Sequence, residues 1–157
     1  ELLIVVAIIG ILAAVGATVI PNLLTKTKIT SVKAQHAEIV KYLEAEFLKC
    51  NLGHSTILNG KEKCPVSDLK ATVRASAADV LSETMKNVYL GSGTSAFESA
   101  TQKGPVRPCS TSVDKQGCHE FYYTNYIFTV KSYFDDDGDI TDKDSNPDFK
   151  ETIIRTN

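Results

Sequence analysis

Residues 2–20, LLIVVAIIGILAAVGATVI, form an unbroken run without one charged side chain. As a helix rising ~1.5 Å per residue the run is about 28 Å long, close to the ~30 Å hydrocarbon thickness of a bilayer. Three readings compete for it: a removable signal peptide, a permanent membrane anchor, or a helix that leaves the bilayer and is buried in a protein assembly. The run opens on Glu1 rather than on a basic flank, which argues against a conventional secretory signal. An anchor or an assembly helix is therefore expected.

The other residues have the composition of one folded domain. The chain has 157 residues, 43% of them hydrophobic, which is too apolar for intrinsic disorder and too short for a large multidomain enzyme. Its net charge of −2 offers no basic excess for nucleic acid, and no stable nucleic-acid binding is expected. Topology signals conflict. Lys26, Lys28 and Lys33 follow the apolar run and would keep the following chain in the cytoplasm by the positive-inside rule. Four cysteines in a small domain, Cys50, Cys64, Cys109 and Cys118, read instead as two disulfides in an oxidising compartment. The cysteines carry more weight, and the conflict disappears if a basic leader preceding Glu1 is removed. Four cysteines allow three connectivities, of which Cys50–Cys64 with Cys109–Cys118 closes the shortest loops.

Beyond Pro21 the pattern turns amphipathic. Ile29, Val32, His36, Ile39, Val40, Leu43 and Phe47 recur at helical spacing with charged residues between them, predicting one long helix to about Lys49. His36 lies on that stripe and reads as a buried structural histidine, because no second His or Cys follows at metal-binding spacing. Gly10, Gly16 and Thr18 weaken the helix ahead of Pro21, so a bend or local melting is expected there. Residues 51–63 have the composition of a polar loop, residues 67–90 predict a second helix opened by Ser67, and residues 91–105 predict an exposed loop. Residues 119–134, HEFYYTNYIFTVKSYF, predict the main strand, with Tyr122, Tyr126, Phe128, Val130 and Phe134 on the face that covers the helix stripe. A first strand is expected within residues 106–113 and a last one over residues 152–155. The sum is an α+β fold: a long N-terminal helix packed on a small antiparallel sheet.

ELLIVVAIIGILAAV, residues 1–15, followed by Pro21-Asn22-Leu23, resembles the N-terminal helix of type IV pilins and the related pseudopilins. The resemblance is strong over residues 1–30 and extends beyond them in layout only. It implies the type IV pilin fold, with residues 1–21 as the apolar half-helix and residues 22–157 as the amphipathic half plus a globular head. In that family a prepilin peptidase removes a basic leader, the new N-terminus is methylated, and the glutamate is the fifth mature residue. About four residues are thus expected before Glu1, and Pro21 falls about three residues later than the family's helix proline. The implied partners are other copies of the chain in a helical filament, the inner membrane before assembly, and the pilus assembly machinery. The implied location is an extracellular pilus drawn from an inner-membrane pool.

Physics gives Glu1 a matching role, because a carboxylate at the edge of an apolar helix is costly to bury without a cation. The resemblance names that cation as a neighbouring subunit's terminal amine. Gly10, with Ala13, Ala14, Gly16 and Ala17, is small enough for close helix approach. Glu1, Gly10 and Pro21 are accordingly the candidate assembly residues.

No Walker loop, GxGxxG, HExxH or CxxC occurs, so no catalytic residue is assigned and no enzyme activity is expected. The cysteines with His54 and His119 lack the spacing of a common zinc site. Residues 135–148, DDDGDITDKDSNPD, place seven aspartates against one lysine, and a hard cation would relieve their repulsion. The EF-hand pattern fails, with Ile140 where glycine is required and Asn146 where glutamate is required. Weak calcium binding through Asp135, Asp137, Asp139 and Asp142 stands against a solvated acidic turn built on Asp137-Gly138. Type II secretion pseudopilins often bind calcium near their C-terminus, which adds to the first reading. The expected function is a pilus subunit serving adhesion, motility or DNA uptake. A major pseudopilin of a type II secretion system is the alternative within the family, and a single-span periplasmic enzyme or sensor the alternative outside it.

Overall fold

A computed structural model describes residues 2–66, 70–89, 117–134 and 148–156, apart from the side chains of Ala17, Thr18, Pro21, Lys70, Ala71, Asp148 and Phe149. Helix α1, Leu2–Asn51, has 50 residues, about 75 Å at 1.5 Å per residue. It runs unbroken through Pro21, so the expected melting does not occur. Proline removes one donor from the ladder, and the turns on either side continue it. The helix ends two residues past the expected Lys49. Gly53 at φ +86° turns the chain, its N–H donates to the Cys50 carbonyl at 3.1 Å, and the His54 N–H donates to the Lys49 carbonyl at 3.0 Å. This is a Schellman cap, which glycine favours because it adopts φ > 0 without steric penalty.

The supposed polar loop after the helix carries a small hairpin of β1, Thr56–Ile57, and β2, Glu62–Lys63. Leu58, Asn59 and Gly60 turn it with positive φ, and Ile57 and Leu58 are fully buried in the core. Composition missed them because two apolar residues in a polar stretch give no periodic signal. Helix α2, Lys70–Ser82, is shorter than the residues 67–90 expected. Its stripe of Val73, Ala77, Val80 and Leu81 is buried. The hydroxyls of Ser82 and Thr84 donate back to the carbonyls of Asp79 and Leu81, at 2.8 and 3.3 Å, where they compete with continued helix.

The sheet comprises β3, His119–Thr124, β4, Ile127–Phe134, and β5, Asp148–Arg155, antiparallel in the order β3-β4-β5. The long strand expected over residues 119–134 is thus two strands, broken at Asn125 and Tyr126, whose φ values of +51° and +60° mark a type I′ hairpin turn. The break corrects the inward face. Tyr123 pairs with Phe128 and Phe121 with Val130, so odd-numbered residues of β3 share a face with even-numbered residues of β4. Phe121, Tyr123, Phe128, Val130 and Phe134 are buried, whereas Tyr122 and Tyr126 are exposed. Residues 106–113, the expected first strand, lie outside the described residues, as does Ser67.

Helix α1 lies across β4 and β5 while α2 lies against β3. The core is divided. A main cluster joins Ile39, Leu43 and Phe47 of α1 to Val73, Ala77 and Leu81 of α2 and to the sheet, with Phe128 at its centre, 5.5 Å from Phe47 and 5.3 Å from Phe121. A smaller cluster joins Ile29 and Val32 to Phe134. Lys33 covers it, with its ammonium 4.5 Å from the Phe134 ring centroid. Between the two clusters in the order of α1 and β4 come His36 and Ser132.

Candidate functional site

The first candidate is the N-terminal half of α1. Every leucine, isoleucine and valine within residues 2–24 is 52–83% exposed, whereas Val32, Ile39 and Leu43 further along are fully buried. A side chain added at Gly10 would meet nothing within 4 Å, so that surface is open to a close neighbour. Among the described residues no helix is long and apolar enough to cross a membrane. The uninterrupted apolar stretch with described side chains is residues 2–16, about 22 Å of helix. Glu1 and the Pro21 side chain lie outside the described residues.

The second candidate is the disulfide framework. Cys50, in the last turn of α1, is bonded to Cys64 after β2, with Cα atoms 5.3 Å apart, as the shortest-loop pairing predicts. That bond removes Cys50 and Cys64 from any zinc reading. Cys118 is also disulfide-bonded, and its expected partner, Cys109, lies outside the described residues. The disulfide walls a cleft of about 650 Å³ with His54, Tyr126 and Thr156. Asp135, Asp137, Asp139 and Asp142 all lie outside the described residues. Among those described, no group of three or more His, Cys, Asp or Glu is placed to hold a metal ion.

His36 is the buried structural histidine that the sequence predicts, at 1% exposure, but sequence reasoning missed the polar layer it belongs to. His36 Nδ1 lies 2.7 Å from Ser132 Oγ, and His119 Nδ1 lies 2.6 Å from the same oxygen. The outer ring nitrogens reach Thr152 Oγ1 at 2.8 Å and Gln35 Oε1 at 3.3 Å. Hydrogen-bond chemistry orients the whole chain. The Lys86 carbonyl only accepts, so the Gln35 amide nitrogen faces it, at 3.0 Å, and Gln35 Oε1 faces His119. His119 Nε2–H therefore donates to Gln35, its Nδ1 accepts from the Ser132 hydroxyl, Ser132 accepts from His36 Nδ1–H, and His36 Nε2 accepts from Thr152. With both rings neutral, every donor in the chain has an acceptor. Burial, reinforced by Lys150, pulls His36 down to about 4. Burial, reinforced by His36, pulls His119 down to about 3.

A serine between imidazoles is also the arrangement of an activated nucleophile. Here Ser132 is 0% exposed, His36 1% and His119 4%, and none of the three lines the cleft beside the disulfide. Without access for a substrate the chain can hold structure and exchange protons. The sequence carried a partial signal, since His36 interrupts the apolar stripe of α1 and Ser132 interrupts the inward alternation of β4.

Among the described residues three carboxylates are buried, Glu46, Glu62 and Glu120, and Glu62 accepts the Ser76 hydroxyl at 2.6 Å. Glu46 accepts the Leu58 N–H at 2.7 Å and pairs with Lys49, pinning the β1–β2 hairpin to α1. Glu120 Oε2 accepts the hydroxyls of Tyr122 and Tyr133 at 2.6 and 2.5 Å. Burial, aided by the Glu120 hydrogen bond, pushes the Tyr122 phenol up to about 12, and burial with Glu120 raises that of Tyr133 as well. No protein-family model, curated protein or solved structure matches the chain.

Proposed function

We propose that this chain is the structural subunit of a type IV pilus, polymerising through its N-terminal helix into an extracellular filament. One observation carries the reading: the first 15 residues of a 50-residue helix, 2–16, are apolar on every side with all their leucines, isoleucines and valines exposed, while its C-terminal half is packed into a folded head. Exposed apolar patches larger than a few hundred Å² mark interaction or membrane surfaces, and this one covers a helix with no charged face. The same helix serves two environments in turn, the inner membrane before assembly and a bundle of identical helices after it. Small residues at Gly10, Ala13, Ala14 and Gly16 suit the second, because they let helices approach closely. Glu1 supplies the one charge at the apolar edge and pairs with an adjoining subunit's terminal amine. The assembly machinery of the envelope is the remaining partner.

Expression of the full-length chain in a piliated host lacking its own major subunit tests the reading by electron microscopy of sheared filaments. Filaments built from the wild-type chain are expected, with yield sharply reduced by Glu1→Ala while the Cys50–Cys64 disulfide still forms. No filaments from the wild type, or undiminished filaments from Glu1→Ala, would overturn the reading or the role given to Glu1 respectively.

A further inference from the structure

We propose that the Thr152–His36–Ser132–His119–Gln35 chain is an acid-operated latch: below neutral pH it frees the Ile29, Val32 and Phe134 end of the head while the core around Phe128 stays closed. The chain crosses every layer of the head. Gln35 and His36 belong to α1, His119 to β3, Ser132 to β4 and Thr152 to β5, and Gln35 reaches on to the Lys86 carbonyl beyond α2. It lies between the two apolar clusters, so it is the seam along which they separate.

The geometry makes the seam intolerant of protons. Protonating His119 places a donor at Nδ1 against Ser132, whose own hydrogen then loses its acceptor. Protonating His36 is met at Nε2, where the Thr152 hydroxyl can rotate to accept, but the charge then sits buried with Lys150 on β5 nearby. Among the described residues, the groups facing the rings include each other, Ser132 of β4, Thr152 and Lys150 of β5, and Gln35 of α1. Charging both rings sets two cations on either side of one hydroxyl oxygen.

The linkage has a definite sign. Both rings have folded values below the unfolded 6.5, so their contribution is fully present above pH 6.5 and is lost as pH falls toward about 4 and 3. An opened seam returns both imidazoles to water, where they take up protons. Moving from pH 7 to pH 5 should therefore raise the opening constant by roughly several hundred-fold, a little over one decade per ring. The small cluster opens first because, among the described residues, it has three buried apolar members with Val88 and Tyr89 partly buried against them, against many more in the main one.

Hydrogen exchange on the full-length chain in detergent micelles at pH 7, 6 and 5, corrected for the intrinsic pH dependence of exchange, tests the latch. Protection in residues 26–36 should fall several hundred-fold by pH 5 and stay well below that of residues 39–47 and 121–130, whose exchange requires the larger opening. The His36→Gln, His119→Gln double variant should lose that pH dependence, because glutamine takes no proton. Should the variant not fold, imidazole proton resonances of the wild type give the second readout, with both rings neutral in the closed state down to pH 5. Unchanged protection at pH 5, residues 26–36 as strongly protected at pH 5 as residues 39–47 and 121–130, or rings that titrate near 6.5 with protection intact would each overturn the latch. None of these readouts depends on filament formation, so they stand apart from the proposed function.

Discussion

At the residue scale, single polar or conformational features hold the head more tightly than its composition suggests. Gly117 opens β3 at φ +74°, where a Cβ would collide with Asn87 Oδ1 and come within 2.8 Å of the Tyr89 ring. Its N–H donates to the Tyr133 carbonyl at 2.9 Å, so the position cannot drift outward. Gly117→Ala combines a left-handed backbone with an overpacked contact and should cost about 2 to 4 kcal/mol. Thermal melting of the head should fall by roughly 10 °C, and a shift under 2 °C would show that Asn87 and Tyr89 move aside. Glu46 is a buried carboxylate whose value lies in a single acceptor atom for Leu58. Nothing in its helical spacing sets it apart from the exposed Glu38 and Glu44. Lys49 of α1 pairs with one of its oxygens, and only the hairpin folded back onto α1 gives the other a partner.

At the scale of elements, the β1–β2 hairpin shows why a short, polar segment can be indispensable. It delivers Ile57 and Leu58 to the core, yet its two-residue strands have almost no ladder of their own. Its position depends on the Cys50–Cys64 bond, on Glu46 and on the Lys61–Asp79 ion pair to α2. With 14 residues of sequence separation, the disulfide should contribute about 3 kcal/mol by loop entropy. Replacing both cysteines by serine should lower the melting temperature by roughly 10 °C. It should also speed exchange at Leu58 before exchange at Phe128. Equal loss of protection at both sites would mean that the bond acts on the whole head rather than on the hairpin. The β3–β4 hairpin behaves differently, since its register is set by the two-residue turn at Asn125 and Tyr126 and by paired aromatic residues.

For the whole molecule, the contrast between the two halves of α1 dominates. One half has Ile29, Val32, Ile39, Leu43 and Phe47 buried in the head, and in the other every leucine, isoleucine and valine is exposed. A chain shortened to begin at Asn22 should stay monodisperse in detergent-free buffer, while the full-length chain should associate or require detergent. The measurement is light scattering with matched circular dichroism of the head. If the shortened chain associates equally, the apolar half is not the assembling surface, and Leu48, Leu52 and Ile153 on the head become the next surface to examine, each more than half exposed.

The features visible in the sequence were those written as local patterns. The long helix, its apolar stripe from Ile29 to Phe47, its end near Lys49 and the α+β class follow from periodicity and composition, because burying one face of a helix imposes a 3.6-residue repeat on the chain itself. The Cys50–Cys64 pairing was legible because short loops are the easiest to close. The inward face of β4, with Phe128, Val130 and Phe134, was legible too, whereas that of β3 was not. A two-residue turn at Asn125 and Tyr126 shifts the alternation by one, and without the turn the residues of β3 read as facing the other way. The bonding of His36, Ser132 and His119 was equally out of reach, since residues 96 and 13 positions apart meet only when the helix and three strands are packed together. Periodicity reports which face of an element is buried, whereas a buried polar group is satisfied by whatever atom the tertiary packing sets opposite it.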